Sequence, residues 1–391
     1  MDINRVQQLL EENNIDGWLL YDFQNLNAIV GRMLELPENV VQSRRYFYFI
    51  PRSGTPRKLV HRIEQHNLDL LPGDTFVYLD WQSLGEGLKT ITEGAQTVAM
   101  EFSPHNAIPY VARVDAGTVD LMRFIGKEVV SSANLIQEFE AALSDEQIET
   151  HLVAAKLIRQ FVHNAFGEIQ TRIKKTGEIK EYTVQQFLVK RFKEHNLVFH
   201  HPALVAVNAN AGNPHYMPNE QTTALIREND LVLIDLFGKL NKPKAIYADI
   251  TWMGFTGETI PAEIENAFTT GRRARDTAVD FVRERFAAQT PVMGFEVDDA
   301  ARNVIKEAGY GDLFIHRTGH SIGEEVHGNG ANMDNLETHD NRRIIPRTCF
   351  SIEPGIYTDA FGIRTEINML IMPDGAAEVT GGEPQQEIVK I

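Results

Sequence analysis

The sequence predicts a mixed α/β protein of two domains, a smaller one over residues 1–135 and a larger one over 145–391. Three observations predict it. The chain has 391 residues, more than one ordinary hydrophobic core accommodates. Helix-like and strand-like periodicities alternate along it. From residue 145 onward, the same order of elements runs twice.

In the first domain, Met1 to Asn14 carries apolar residues at helical spacing, GWLLYDF (17–23) reads as a buried strand, and YFYFIPRSGTPRKLVH (46–61) as strand, turn, strand. No phosphate loop or dinucleotide fingerprint occurs there, so its residues assign that domain no chemistry. The texture changes near 130–143, without enrichment in Pro or Gly. Ser144 with Gln147 three residues on has the form of a capping box, and Ile148, Leu152, Ala155, Ile158, Phe161 and Val162 continue at helical spacing, giving a helix over 145–170. A shorter helix over 181–195 carries Val184, Leu188 and Phe192; a His-bearing loop and two strands follow. The second half repeats that order. PAEIENAFTTGRRARDTAVDFVRERFAA opens with a proline suited to a helix start, EVDDAARNVIKEAG is the shorter helix ending at Gly309, and a His-rich loop and two strands come next. The strand pairs are LVLIDLFG with YADITWMGF, and CFSIEPGIY with GIRTEINMLI.

Composition narrows the functional classes. Hydrophobic residues at 43% and charged residues at 24% describe a soluble globular chain. The amino terminus lacks a basic region and a small-residue cleavage site, and no apolar run approaches the roughly 20 residues that cross a bilayer. A single cysteine, Cys349, excludes an intrachain disulfide. These features predict a cytoplasmic protein with no membrane partner. A net charge of -16 argues against nucleic acid as a partner.

Each predicted strand of the second domain carries one acid among apolar neighbours: Asp235, Asp249, Glu353 and Glu366. They lie 14 and 13 residues apart within the halves, and 118 and 117 apart between them. Any one alone reads as a strand-end carboxylate. Four in matched positions would meet in one central region, where uncompensated charge is costly, so they call for cations. Carboxylates with an imidazole suit one or two divalent ions such as Mn, Co or Zn, and two close ions acidify a shared water. HRTGHSIGEEVHG (316–328) supplies the imidazoles, with three histidines and three glycines in thirteen positions. His316 and His320 are spaced like two ligands on one helix face, but Thr318 and Gly319 speak against a helix there.

HRTGHSIGEEVHG, SIEPGIY, GIRTE, and VLID followed by ADITW resemble the motifs of the M24 metallopeptidases, the pita-bread group that includes prolidase, Xaa-Pro aminopeptidase, methionine aminopeptidase and creatinase. The resemblance covers about residues 145–391, and DGWLLYDFQNLNAI extends it to a creatinase- or prolidase-like N-terminal domain. It implies a pita-bread fold with a pseudo-twofold repeat. It also implies a two-metal centre in which Asp235 binds one ion, Asp249 and Glu366 bridge, and His320 and Glu353 complete the set. Creatinase works without that metal pair. Gly319 and Gly323 would let the backbone pass close to the centre. His327 would support the tetrahedral intermediate with His215 of NPHY, His316 would be a second pocket histidine, and Glu353 would also shuttle a proton.

Some positions stay open. Arg364 either orients Glu366 or is a surface cation, and the resemblance favours the first. Arg343, with Arg342 and with Arg347 where relatives carry glycine, either meets a substrate carboxylate or is solvated. His200 and His201 either line the pocket or are strand-end residues bound to backbone or water, and the second reading leaves them out of the site. FGKLNKPKAIY is a longer connection than prolidases use, and Asn368 stands where relatives often carry an acid. The expected activity is hydrolysis of Xaa-Pro bonds in short peptides, dipeptidase before aminopeptidase because the N-terminal domain is short, by a homodimer. Xaa-Pro aminopeptidase activity, hydrolysis of a non-peptide C–N bond and a catalytically silent binding module are the alternatives.

Overall fold

The computed structural model describes residues 1–37 and 41–391. It divides into two compact units, Met1–Glu140 and Ala141–Ile391.

In the first unit, the Asp2 side chain caps the helix Ile3–Glu12, which buries Val6, Leu9 and Leu10. The strand Gly17–Asp22 lies inside a six-stranded mixed sheet, antiparallel to Tyr46–Pro51 and parallel to Thr97–Met100. Its apolar run follows from burial on both faces: Trp18 and Leu20 join one core cluster, Leu19 and Tyr21 the other. Beneath it, the fully buried Glu101 accepts hydrogen bonds from Trp18 Nε1, Asn27 Nδ2 and Ser132 Oγ. Burial pushes its carboxyl up to about 7.

The second unit begins with the helix Asp145–Thr176, where Ser144 and Gln147 cap each other reciprocally. The helix runs six residues past the expected end, because no breaker intervenes before Gly177, at φ 82°. Helix Glu181–Glu194 follows, and Ala262–Ala287 with Gly294–Glu307 form the corresponding pair in the second half. Each pair covers one set of strands. Phe161, Val162, Val184 and Leu188 cluster with Val232, Ile234 and Leu236, whereas Ala274, Ala278, Val297 and Ala301 cluster with Ile352, Ile363 and Met369.

The two strand sets differ in detail. Leu231–Leu240 pairs continuously with Ala248–Phe255, and Asp235 stands opposite Thr251 while Phe237 stands opposite Asp249. The second set, expected as one continuous pair, is broken: Cys349–Ile352 pairs with Ile367–Ile371, and Gly355–Tyr357 pairs separately with Gly362–Arg364. Pro354 lies in the break, where a residue without an N–H cannot continue the ladder. Glu353 and Glu366 flank the gap. The halves are joined by Asp249 N donating to Asn368 Oδ1 (2.8 Å) and by Glu366 N donating to Thr251 O (3.3 Å). Among the described residues, no helix is long and apolar enough to cross a membrane.

Candidate metal centre

The His-rich segment is held from two sides. On the helix Gly294–Glu307, buried Asp298 pairs with Arg302 at 2.8 Å and accepts from Thr318 N (2.9 Å) and Thr318 Oγ1 (2.6 Å). Arg302 in turn donates to the carbonyls of Phe314 and His316. On the other side, Ser351 N donates to His320 O (2.9 Å), Glu353 N to Thr318 O (2.7 Å), and His320 N to Ser351 Oγ (2.9 Å). A Cβ on Gly319 would stand 1.9 Å from Ser351 O, so only glycine permits this approach. Gly323 differs from expectation: its nearest neighbour would be 3.7 Å away, so no tight passage explains that glycine.

These contacts bring four acids and an imidazole together. Ligating atoms of Asp249, His320 and Glu366 lie within 4.8 Å of one another. His320 Nε2 is 3.6 Å from Asp249 Oδ2 and 3.4 Å from Glu353 Oε1. His320 Nδ1 is 3.1 Å from Ser321 O, which assigns the proton to Nδ1 and leaves Nε2 as the ligating atom. Thr251 Oγ1 donates to Glu366 Oε2 (2.7 Å), and Ser351 Oγ to Glu353 Oε1 (3.0 Å). Arg364 donates to Asp235, to Thr251 Oγ1 (3.0 Å) and to Tyr357 OH (2.9 Å). It therefore reaches Glu366 through Thr251 rather than directly.

The electrostatics describe a centre short of positive charge. Burial and Asp235 push Asp249 up to about 7, although His320 opposes them. Burial, Asp249 and Glu353 raise Glu366 well above the usual carboxylate range. Asp235 is raised by burial, with Arg364 opposing. Glu353 is also buried, yet His320, His316 and Arg364 together hold it below its ordinary value. Burial pulls His320 down, but Asp249 and Glu353 more than offset it and the ring is raised. Asp235 Oδ1 and Asp249 Oδ1 are buried with no hydrogen-bond partner. Two unpaired carboxylate oxygens in a buried cluster that also holds a histidine nitrogen and further acids are a donor set that fits divalent cations.

A cavity of about 750 Å³ opens onto this cluster and is lined by His215, Tyr216, His316, Arg317, His327 and Arg364 together with the four acids and His320. His327 packs edge-on to His320 with ring centres 4.4 Å apart, and burial with that neighbour holds it down at about 3. His316 Nε2 meets Tyr357 OH at 2.7 Å and Nδ1 meets Arg317 O at 2.7 Å. The arginine expectation is not met. Arg343 is exposed and does not line the cavity. Arg342 is buried against Asp340 and Asn329 O, and Arg347 bonds Leu143 O and Asp145. The charged guanidinium groups of the lining are Arg317 and Arg364.

Sequence reasoning passed over several residues here. Thr251 has a readable signal, since it lies two residues past Asp249 on the same strand face. His201 lines the cavity edge-on to Phe237 (4.6 Å), with Nδ1 also 3.2 Å from Pro202 O. Ser351 and Tyr357 stand at the two ends of SIEPGIY, but nothing in that motif points to the partners they bond.

Residues 151–373 match the model of metallopeptidase family M24. The Xaa-Pro dipeptidase of Lactobacillus delbrueckii subsp. lactis is 25% identical over 402 aligned positions, and that of Lactobacillus helveticus 26%, each covering 100% of both chains. The solved prolidase of Pyrococcus horikoshii OT3 superposes with a TM-score of 0.60 at 20% identity, covering 99% of each chain, a likeness of the pita-bread fold. With more than half its length matched, the chain belongs to metallopeptidase family M24.

Proposed function

We propose that the protein is an Xaa-Pro dipeptidase that holds two divalent ions, Mn, Co or Zn, on Asp235, Asp249, His320, Glu353 and Glu366. The observation that carries the metal centre is the pair of buried, unpartnered oxygens, Asp235 Oδ1 and Asp249 Oδ1, in the acid cluster that holds His320, whose Nε2 is the ligating atom. The substrate assignment rests on full-length similarity to two Xaa-Pro dipeptidases. The ions would supply Lewis-acid polarisation of the scissile carbonyl and acidify the attacking water.

The chain's own residues do the rest. His327, which burial keeps neutral, would donate to the oxyanion, with His215 of the same cavity lining assisting. Glu353, held ionised by the histidines and Arg364, would take the water's proton and return it to the leaving nitrogen. In an Xaa-Pro bond that nitrogen belongs to the proline ring and carries no N–H, so recognition must come from the cavity wall instead. Arg364 fixes Asp235 and, through Thr251, Glu366. His316, bonded to Tyr357, would line the substrate pocket. A homodimer located in the cytoplasm completes the proposal.

Hydrolysis of Xaa-Pro dipeptides, Xaa-Pro-Xaa tripeptides and proline-free dipeptides tests it. Cleavage confined to the Xaa-Pro dipeptides supports the reading. Preference for the tripeptides replaces it with an aminopeptidase, and cleavage of proline-free dipeptides alone removes the proline assignment.

A further inference from the structure

Glu181 is the first residue of the helix Glu181–Glu194 and is wholly buried, although a first-turn glutamate is ordinarily a solvated helix-dipole partner. Its carboxylate accepts four hydrogen bonds. Oε1 takes Val207 N (2.8 Å) and Asn210 Nδ2 (2.9 Å); Oε2 takes Tyr216 OH (2.6 Å) and Ala224 N (2.8 Å). Those donors come from one stretch of chain. Val207 ends the strand Leu204–Val207, Ala224 precedes the strand Leu225–Arg227, and the segment between them carries Pro214, His215, Tyr216 and Met217 into the lining of the cavity.

One carboxylate thus pins both ends of the segment and a residue in its middle. The segment is short of other regular support, since its only helical part is the five-residue turn Asn208–Gly212. That turn is gripped from the second half of the fold: a Cβ on Gly212 would stand 2.4 Å from Thr358 O, and one on Gly362 would stand 1.8 Å from Ala211 O. Past Gly212, the segment is tethered to the helix Glu181–Glu194 by Tyr216 OH and Ala224 N on Glu181, by Gln185 Nε2 donating to Met217 Sδ (3.1 Å) and by Tyr182 N donating to Thr223 Oγ1 (3.0 Å), so Glu181 holds the one of these bonds that fixes the ring beside His215. Tyr216 and His215 are adjacent in the chain, so whatever fixes one ring constrains the other.

We infer that Glu181 is a positioning residue that sets His215 and Tyr216 over the cavity and thereby controls the grip on substrate. It touches neither the acid cluster nor the cavity, and acts through the segment it anchors. Four donors on two oxygens require an ionised, acceptor-only side chain. Glutamine presents an NH2 group toward at least one N–H donor, so Glu181→Gln breaks the set without removing volume. Tyr216→Phe removes one bond of the four and keeps the ring.

The kinetic part of this inference rests on the proposed dipeptidase activity; the structural part does not. The test combines hydrogen exchange of the full chain with steady-state kinetics on an Xaa-Pro dipeptide, for wild type, Glu181→Gln and Tyr216→Phe. Expected are lost protection over 208–224, unchanged protection over 231–255 and 349–371, and KM raised roughly tenfold in Glu181→Gln with kcat moved far less. Tyr216→Phe should show the same pattern more weakly, and it decides the matter if Glu181→Gln does not fold. Unchanged exchange over 208–224 in both variants overturns the inference, as does a loss confined to kcat. A wild-type chain inactive on every Xaa-Pro peptide would remove the proposed substrate, and exchange would then decide the positioning claim alone.

Discussion

Replacing Gly319 by alanine tests how tightly the His-rich segment must approach the Cys349–Ile352 strand. The added Cβ would lie 1.9 Å from Ser351 O, 2.7 Å from Ser351 C and 3.2 Å from Ser351 Oγ. Two backbone segments must therefore part by about 1 Å or more, because the two nearest obstacles, Ser351 O and C, are backbone atoms. Overpacking of this kind costs about 1–3 kcal/mol. The bonds Ser351 N to His320 O, Glu353 N to Thr318 O and His320 N to Ser351 Oγ all cross the same gap, and weakening them adds about 1 kcal/mol each. A total of roughly 4–6 kcal/mol lowers the melting temperature by roughly 8–24 °C for a unit of this size. Because His320 and Glu353 lie on opposite sides of the gap, metal affinity should fall about 10- to 100-fold. Gly323→Ala is the control, with its nearest contact at 3.7 Å and an expected change within about 0.5 kcal/mol. Calorimetry and a chelator-competition titration read both quantities. A Gly319→Ala chain that melts and binds metal like wild type refutes the close-approach argument.

Three further outcomes follow from other contacts. Arg364→Met removes the donor shared by Asp235, Thr251 and Tyr357 and should weaken metal binding about 10- to 100-fold, measured by the same competition titration; undiminished affinity would show that Arg364 orients nothing. Asp298→Ala leaves Arg302 buried and unpaired, so a loss of about 3–5 kcal/mol is expected in urea denaturation, and a loss under 1 kcal/mol would contradict the anchoring role given to that pair. Glu101 holds its proton to about pH 7 in the folded chain against an ordinary value of 4.5, so the folded state carries the extra proton between those values and stability falls as pH rises through that window, by roughly 3 kcal/mol in all. Glu101→Gln should abolish that dependence in hydrogen exchange of the Gly17–Asp22 strand compared at pH 5 and pH 8; a slope equal to wild type would count against it.

Much of the architecture was legible because it follows from local rules. Ser144 and Gln147 announce the long helix, Gly309 closes the second short helix at φ 85°, and the doubled order of elements is visible without any pairing information. The four acids were visible for a related reason: a lone carboxylate among apolar strand residues is costly wherever it lies. What escaped depends on partners distant in sequence. The break at Pro354 was hidden inside an apolar run that otherwise reads as one strand. Arg342, Arg343 and Arg347 looked alike as charges, yet Asp340 takes Arg342 into the interior while Arg343 stays at the surface. Thr251, Tyr357 and Glu181 matter through hydrogen bonds to residues 115, 7 and 26 to 43 positions away, a relation that composition does not carry.

The measurement that bears most directly on the central claim is metal content per chain after chelation and dialysis against Mn, Co or Zn, for wild type and for Asp249→Asn, paired with Xaa-Pro dipeptide hydrolysis on the same samples. The account predicts two ions per wild-type chain, activity that disappears on chelation and returns with metal, and loss of both ions and activity in Asp249→Asn. Hydrolysis that persists in the chelated wild type, or an Asp249→Asn chain that keeps two ions and full activity, would contradict it.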